Sequence, residues 1–545
     1  MNFRYEPKEE KLVVTKSTRI EYNQLKIWLE RHVKGYRYMP AFKMGVWSGK
    51  ESHFDNGKIN MGLWKECLKA CNEVETSFII DNKEDFPINK NITLESVNEF
   101  CEIFFKDHKV KDKSTGNWIA FYPYDYQIET AFKIMKNRYC MAEVATSGGK
   151  SLIISIIVFY TLRHINPNAK FLIIVPSITL VTQFSDNIVE FNYGVNFLEK
   201  YAGKIDLRNN VIDDVLIDHP TYNPCDIKID EIMSEKPRLF KGIGEPNIYI
   251  GTYQSLEKWP KEFFTQFHTV AVDEAHGAKS TTLKAIMKRT FGSAYNRFGV
   301  SGTFPSDDTL EILTIQSVLG PKVTKIEAST LVKAGTITPM EIKAVILNHG
   351  ASDTSDMIQY LKKMGGGADA FRLEKEYIQN SEKRLEFIKK LVEKCNDNTL
   401  LLFHTIEYGT KIFEKLKAEL PDKEFFYIDG GVNGKNRELI KTQMEITDGK
   451  VKVLIGSFGC LSTGVSINAI FNVIFADSFK SEQIIIQSIG RGLRLHFDKK
   501  KAVIFDIVDV FDPVYPTNIL YKHYKERQKF YNDRKYVYKE IKLNL

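Results

Sequence analysis

The sequence predicts an α/β protein built on two tandem parallel sheets, with a small α+β domain ahead of them and a short helical tail behind. Three observations carry this. Between about residues 114 and 510, the apolar runs 171-FLIIV, 269-TVAVD, 399-TLLLF, 425-FFYI, 452-KVLI, 473-VIF and 503-VIF lack polar alternation, as strands buried on both faces do. Each run is followed by a turn and a helical stretch, the rhythm of parallel α/β units. The stretch 331-LVKAGTITP, with Gly335 and Pro339, ends a helix and links one sheet to the next.

These breaks give an N-terminal accessory domain at 1–113, a first parallel-sheet domain at 114–327, a second at 328–512 and a basic, aromatic tail at 513–545. Residues 204–246, irregular and containing Pro220, Pro224 and Pro237, read as an insertion. The segment 365-GGGADAF reads as a break before a charged helix starting near Leu373. The seven cysteines are scattered without a CxxC pair, which argues against a disulfide framework and a zinc site. No apolar run is long enough to span a bilayer, so a soluble, cytoplasmic protein without a membrane partner is expected.

A net charge of +7 is mild for 545 residues, but its distribution is uneven. Arg31, Lys34, Arg37, Lys43 and Lys50 occur with no acid among them, interleaved with Tyr36, Tyr38, Phe42 and Trp47. The tail repeats the theme with Lys522, Lys525, Arg527, Lys529, Arg534 and Lys535 among tyrosines. Cations neutralise phosphates and aromatic faces stack on bases, so both segments suit nucleic acid. A solvated basic rim over a small aromatic core is the competing reading.

The chemistry begins at 141-MAEVATSGGKS, where a strand ends in a glycine-rich turn that opens the apolar helix 152-LIISIIVFY. Backbone N–H groups of Gly148 and Gly149 at a helix N-terminus face phosphate. Lys150 reaches the β and γ phosphates, and the Ser151 hydroxyl holds Mg²⁺. Ser147 stands where a glycine is common. The second signal is 273-DEAH after the strand 269-TVAV: Asp273 binds Mg²⁺ and Glu274 orients and deprotonates the attacking water. Upstream, Gln127 in 124-YDYQIETAF carries the donor and acceptor that read adenine. Further on come 175-VPSITLVTQ, 251-GTYQSL, 301-SGT, 403-FHT, 456-GSFGCLSTGVS and 487-QSIGRGLR; in the last, Arg491 and Arg494 lie one helical turn apart and project from one face.

This ordered set resembles the superfamily 2 helicases of the DEAH-box-like kind, over most of residues 120–510. Within them it is similar to the phage UvsW-type recombination and branch-migration helicases, whose N-terminal domain has a stretch like 35-GYRYMPAFKMGVWSGK. The resemblance implies two RecA-like domains sharing one ATP site. Gln127, Thr146, Ser147, Gly148, Gly149, Lys150, Ser151, Asp273 and Glu274 form the first half, and Gly464, Arg491 and Arg494 the second. It also implies that Pro176, Ser177, Gln183, Thr252 and Gln254, with His404, Thr405 and Ser462 from the second domain, touch the phosphates of one strand. Arg37, Lys43 and Lys50 would add contacts from the N-terminal domain. Ser466 replaces the acid that many members use at the ribose.

The function expected is therefore an ATP- and Mg²⁺-dependent helicase or translocase acting on single-stranded and branched DNA: forks, Holliday-type junctions or R-loops. The motor motifs alone leave an RNA helicase or RNA–protein remodeller open, with RNA or an RNA–DNA hybrid as partner. A translocating subunit of a restriction or defence complex and a non-catalytic nucleic-acid clamp are further alternatives. The intact Lys150, Asp273, Glu274, Arg491 and Arg494 argue against the clamp.

Overall fold

The computed structural model describes residues 1–111, 117–200, 224–233, 245–335, 338–350, 354–355, 357–359, 368–432, 434–446, 448–461, 467, 469–479, 501–511, 518–534 and 536–545. They form two units, one of Met1–Ala145 with Gly149–Ile326 and one containing Glu327–Leu545. No helix among the described residues is long and apolar enough to cross a membrane.

The first unit opens with short strands: β1 (Asn2–Glu6), β2 (Lys11–Lys16), β3 (Glu30–His32), β4 (Lys50–Ser52), β5 (Phe54–Asp55), β6 (Lys58–Asn60) and β7 (Ile79–Ile80). Five of them make a mixed sheet in the order β5-β6-β2-β1-β7, while β3 and β4 pair antiparallel as a separate arm. A hairpin of β8 (Lys109–Lys111) and β9 (Trp118–Ala120) follows. The first large sheet comprises β10 (Tyr139–Val144), β11 (Phe171–Val175), β12 (Ile229–Ile232), β13 (Ile248–Thr252), β14 (Thr269–Asp273), β15 (Asn296–Ser301) and β16 (Lys322–Ile326). Their order is β12-β13-β11-β14-β15-β10-β16, with every pairing parallel. β10 and β11 are buried at every residue, which is why their sequences show no alternation. Part of the segment read as an insertion, β12, extends the sheet by one edge strand.

The N-terminal domain is built onto this sheet. Helix Leu94–Phe104 contributes Val97, Phe100 and Cys101 to the core that also holds Ile153, Ile157 and Phe171. On the small mixed sheet, Glu10 is buried and forms a bidentate ion pair with Arg297 of β15; Arg297 Nη1 donates to Glu10 Oε1 at 3.0 Å, and its guanidinium lies over the rings of Tyr139 and Phe291. Gly62 sits so close to helix Leu310–Leu319 that a Cβ there would lie 1.9 Å from the Gln316 carbonyl oxygen.

The second unit carries the second parallel sheet: β17 (Met340–Asn348), β18 (Thr399–Phe403), β19 (Glu424–Ile428), β20 (Lys452–Ser457), β21 (Asn472–Phe475), β22 (Ala502–Val510) and β23 (Val537–Asn544), in the order β19-β20-β18-β21-β22-β17-β23. The charged helix before β18 begins at Ala368, ahead of the start expected near Leu373, because Ala370 already packs inward. Of the tail's cations, Lys522, Lys525 and Lys529 are exposed as a nucleic-acid-facing segment needs, but Arg527 is not. Within helix Ile519–Asp533, Arg527 is buried in a bidentate ion pair with Asp506 at 2.9 Å, and the Tyr531 hydroxyl donates to the same carboxylate at 2.9 Å. Residues 537–544 then pair with β17 and complete the sheet edge. Burying a guanidinium requires a carboxylate partner, and Asp506 on β22 provides it. Lys535 lies outside the described residues.

Candidate functional site

The glycine-rich turn leaves the C-terminal end of β10 and enters helix Lys150–Tyr160 through Gly149, whose φ of +78° places it in the left-handed region. Ser147 is also left-handed, at φ +66°. Its N-cap, Gly149, has no side chain to cap it, and a helix N-terminus of this kind suits an anion. Gln127 is buried against the turn: its Oε1 accepts from the Tyr124 backbone N–H at 2.9 Å, and a Cβ on Gly149 would lie 2.2 Å from its Nε2. Only a residue without a side chain admits the glutamine amide here. Ser151 Oγ accepts from Asn187 Nδ2 at 3.4 Å.

At the end of β14 the acidic pair takes two different environments. Lys150 Nζ donates to Glu274 Oε1 at 2.6 Å, and Ser301 Oγ, from the end of β15, donates to Glu274 Oε2 at 3.2 Å. His276 Nδ1 lies 2.8 Å from Ser301 Oγ and 3.3 Å from Glu274 Oε2. Burial would raise the Glu274 carboxyl, but Lys150 and His276 outweigh it and hold it well below the usual carboxylate range. Glu274 itself has φ +50°, a left-handed conformation rare for a side-chain-bearing residue. Asp273 is pushed up to about 6 by burial, reinforced by Glu274 and only partly opposed by Lys150. Its Oδ1 is buried without a hydrogen-bond partner.

An orphaned carboxylate oxygen and the Ser151 hydroxyl are hard oxygen donors of the kind Mg²⁺ takes, and a helix N-terminus with a lysine is a polyphosphate cradle. The residues present fit both groups.

The other predicted residues occupy the ends of neighbouring strands. Val175 and Thr252 are paired across β11 and β13, which brings the turns at Pro176–Ser177 and Thr252–Gln254 to one sheet edge. The Ser177 Oγ is buried without a partner, Gln183 is half-buried, and Gln254 is exposed. The Thr252 hydroxyl is buried and accepts from Ser255 N at 3.2 Å, so it caps helix Tyr253–Leu256.

In the second unit His404 and Thr405 follow β18, and two residues that sequence reasoning missed hold them. Asp477 accepts from the His404 backbone N–H at 2.8 Å, and Thr405 Oγ1 donates to Gln379 Oε1 at 3.3 Å. Gln379 Nε2 in turn donates to Asp477 Oδ1 at 3.2 Å. The available signal was an acid shortly after an apolar strand, the pattern that marked Asp273. Ser462, Gly464, Arg491 and Arg494 lie outside the described residues.

Arg37, Lys43 and Lys50 sit on the arm of β3 and β4, all exposed. Arg37 Nε donates to the Tyr36 hydroxyl at 3.2 Å, and Lys50 lies 4.0 Å from Glu30. Tyr36 stacks on His32 at 4.1 Å and meets Phe42 edge-on at 4.7 Å, while Trp47 Nε1 donates to the Lys50 carbonyl at 2.9 Å. Tyr36 and Phe42 therefore pack together within the arm, and all three aromatics are half-buried. Tyr38 is 81% exposed.

The sequence profile described as DEAD/DEAH box helicase matches residues 124–312, and that described as helicase conserved C-terminal domain matches residues 383–496. The ATP-dependent DNA helicase uvsW of Enterobacteria phage T4 is 27% identical, covering 96% of this chain and 96% of its own length. The crystal structure of T4 UvsW aligns over 100% of this chain and 99% of its own at 23% identity, with a TM-score of 0.45. The DNA-bound ATP-dependent Type ISP restriction-modification enzyme LlaBIII matches 86% of this chain with 33% of its own, at 14% identity and a TM-score of 0.53, a likeness of fold.

Proposed function

Because this chain belongs to the DEAD/DEAH box helicases, an ATP-dependent helicase family, we propose that it unwinds or remodels branched DNA, such as forks, Holliday-type junctions and R-loops. The observation that carries the reading is the cluster of Lys150, Glu274, Ser301 and His276 beside the orphaned Oδ1 of Asp273, where the helix that follows the glycine-rich turn begins. The likeness to a phage DNA helicase along nearly the whole chain supports DNA as the polymer.

The residues divide the work. The N-terminal turns of helix Lys150–Tyr160 bind the polyphosphate through Gly148, Gly149 and Lys150, with Thr146 and Ser147 shaping the loop and Gln127 facing the adenine. Mg²⁺, when bound, neutralises phosphate charge, and Asp273 and Ser151 would hold it. Once phosphate draws Lys150 away, Glu274 loses the cation that suppresses its basicity and can orient and deprotonate water. Ser301 and His276 keep the carboxylate aimed while its ion pair is exchanged. Arg491 and Arg494 meet the charge that develops during hydrolysis, and Gly464 contributes to the same half. Pro176, Ser177, Gln183, Thr252, Gln254, His404, Thr405 and Ser462 grip one strand, so that cycles of hydrolysis become translocation. Arg37, Lys43 and Lys50 of the N-terminal domain bias the motor toward branched substrates.

ATP turnover measured with single-stranded, duplex, forked, four-way and RNA–DNA hybrid substrates tests this proposal. A preference for forked or four-way DNA is expected. A preference for RNA loading strands would replace it with the RNA-helicase reading.

A further inference from the structure

The arm between β3 and β4 exposes apolar side chains at an unusual density. Tyr38 is 81% exposed, Met39 37%, Met44 69% and Val46 74%, all within nine residues. Such a cluster costs free energy in water unless something covers it. The tip is nevertheless ordered from within: Tyr38 N donates to Gly35 O at 2.9 Å, Lys43 N to Met39 O at 3.1 Å, Met44 N to Pro40 O at 2.9 Å and Val46 N to Ala41 O at 3.1 Å. Gly49 has room for no side chain, since a Cβ there would lie 2.2 Å from the Tyr36 ring, which closes the arm against that ring. The apolar groups are thus presented on a built platform.

Two further observations identify what the platform meets. Its flanks are cationic, with Lys34, Arg37 and Lys43 exposed and no acid between residues 31 and 50. Its base is fixed to the motor sheet's own layer: just beyond β4, His53 Nε2 lies 3.2 Å from Thr314 Oγ1 on helix Leu310–Leu319. The buried Glu10–Arg297 pair ties the same domain to β15. An apolar tip with phosphate-neutralising flanks, anchored at its base to the layer of the motor sheet, matches a polymer that alternates flat apolar bases with phosphates.

We propose that Tyr38, Met44 and Val46 form a base-stacking tip that contacts the unpaired or terminal base pair where duplex meets single strand. The inference rests on the helicase reading above and adds to it a location for strand opening. Tyr36, Phe42 and Trp47 support the tip and do not touch the bases.

The test sets the unwinding of a forked DNA beside two further measurements on the full chain with Tyr38, Met44 and Val46 replaced by Ser. One is the fluorescence of a 2-aminopurine placed at the junction of a forked DNA, read on binding without ATP. The other is ATP turnover on saturating single-stranded DNA. The signal should fall and fork unwinding drop about tenfold, the size of losing one stacked base, while turnover stays within about twofold. The variant Tyr38→Trp should preserve both signals, which separates stacking from folding. Unchanged junction fluorescence and unwinding in the Ser variant would overturn the proposal and leave the tip to a protein or lipid partner. Equal loss of turnover and unwinding would overturn it too, making the tip a folding element. Absent DNA-stimulated turnover in the wild type would instead sink the helicase reading, which the ATP-independent fluorescence distinguishes.

Discussion

Asp273 and Asp509 each stand near the C-terminal end of an inner strand, Asp273 half-buried on β14 of the first seven-stranded sheet and Asp509 buried on β22 of the second. Asp509 is fully satisfied: Arg384 reaches it in bidentate fashion at 2.8 and 2.9 Å, and His349 Nε2 lies 3.0 Å away. Burial would raise its carboxyl, but Arg384 and His349 outweigh burial and bring it down to about 2. Arg384 spends its remaining donors on the Ala476 carbonyl and the Tyr408 hydroxyl. Among the described residues no arginine reaches Asp273; its Oδ1 is orphaned, and burial pushes its carboxyl up to about 6. One strand-end carboxylate is closed by its partners and the other keeps an oxygen open. A closed network specifies structure, whereas an open one retains affinity for a ligand that is not part of the chain.

The comparison breaks most visibly in turnover. Arg491→Ala or Arg494→Ala should lower ATP hydrolysis by roughly 10³ to 10⁵ with little effect on ATP affinity, if the open edge is completed by those guanidiniums. Glu274→Gln should lower it by about 10² to 10⁴ while ATP and DNA binding persist, and Lys150→Ala should weaken nucleotide binding as well. Steady-state ATPase and nucleotide titration decide both; a Glu274→Gln protein with most of its DNA-stimulated turnover would remove that carboxylate from the mechanism.

Stability should respond at the closed site. Arg384→Met leaves the buried Asp509 carboxylate with His349 as its sole side-chain partner among the described residues and should cost about 3 to 5 kcal/mol in denaturant unfolding, much of it recovered by adding Asp509→Leu. A silent Arg384→Met would show that this network carries no structural load.

The two aspartates should also titrate in opposite senses. Asp509, lowered in the folded state, contributes stability that is present above pH about 4 and lost as pH falls toward about 2. Asp273, raised to about 6, makes the nucleotide-free protein lose stability as pH rises from about 4 through about 6. Asp273→Asn should therefore stabilise that form at pH 7 by on the order of 1 to 3 kcal/mol while abolishing Mg²⁺-dependent hydrolysis. Thermal melts of the two proteins at pH 7 are the check, and a destabilised Asp273→Asn would contradict an open site.

The smallest effect concerns the arm. Replacing Arg37, Lys43 and Lys50 together by Ala should make the log–log salt dependence of fork binding shallower by roughly two to three. An unchanged slope would assign these charges to a solvated rim.

Sequence pattern reached the two sheets because strands buried on both faces need continuous apolar runs, and it reached Lys150, Asp273 and Glu274 because phosphate and metal chemistry restricts residue type at short spacing. It did not reach Glu10, Arg297, Arg384 or Asp477. Their partners lie far along the chain, as in Glu10 with Arg297 and Arg384 with Asp509, and no local spacing announces such a pair. Arg527 escaped the sequence for the same reason: it looks like a surface cation until Asp506 is known to sit beside it.

Ser147 holds a left-handed backbone at φ +66° in the phosphate loop, where glycine would adopt that conformation freely. A side chain steers the free chain away from that conformation, so the turn's shape is imposed by its surroundings and carries a local strain. Ser147→Gly should relieve it and stabilise the folded protein by up to about 1 kcal/mol in denaturant unfolding. The serine thus leaves the turn as a small spring held under tension by the fold around it.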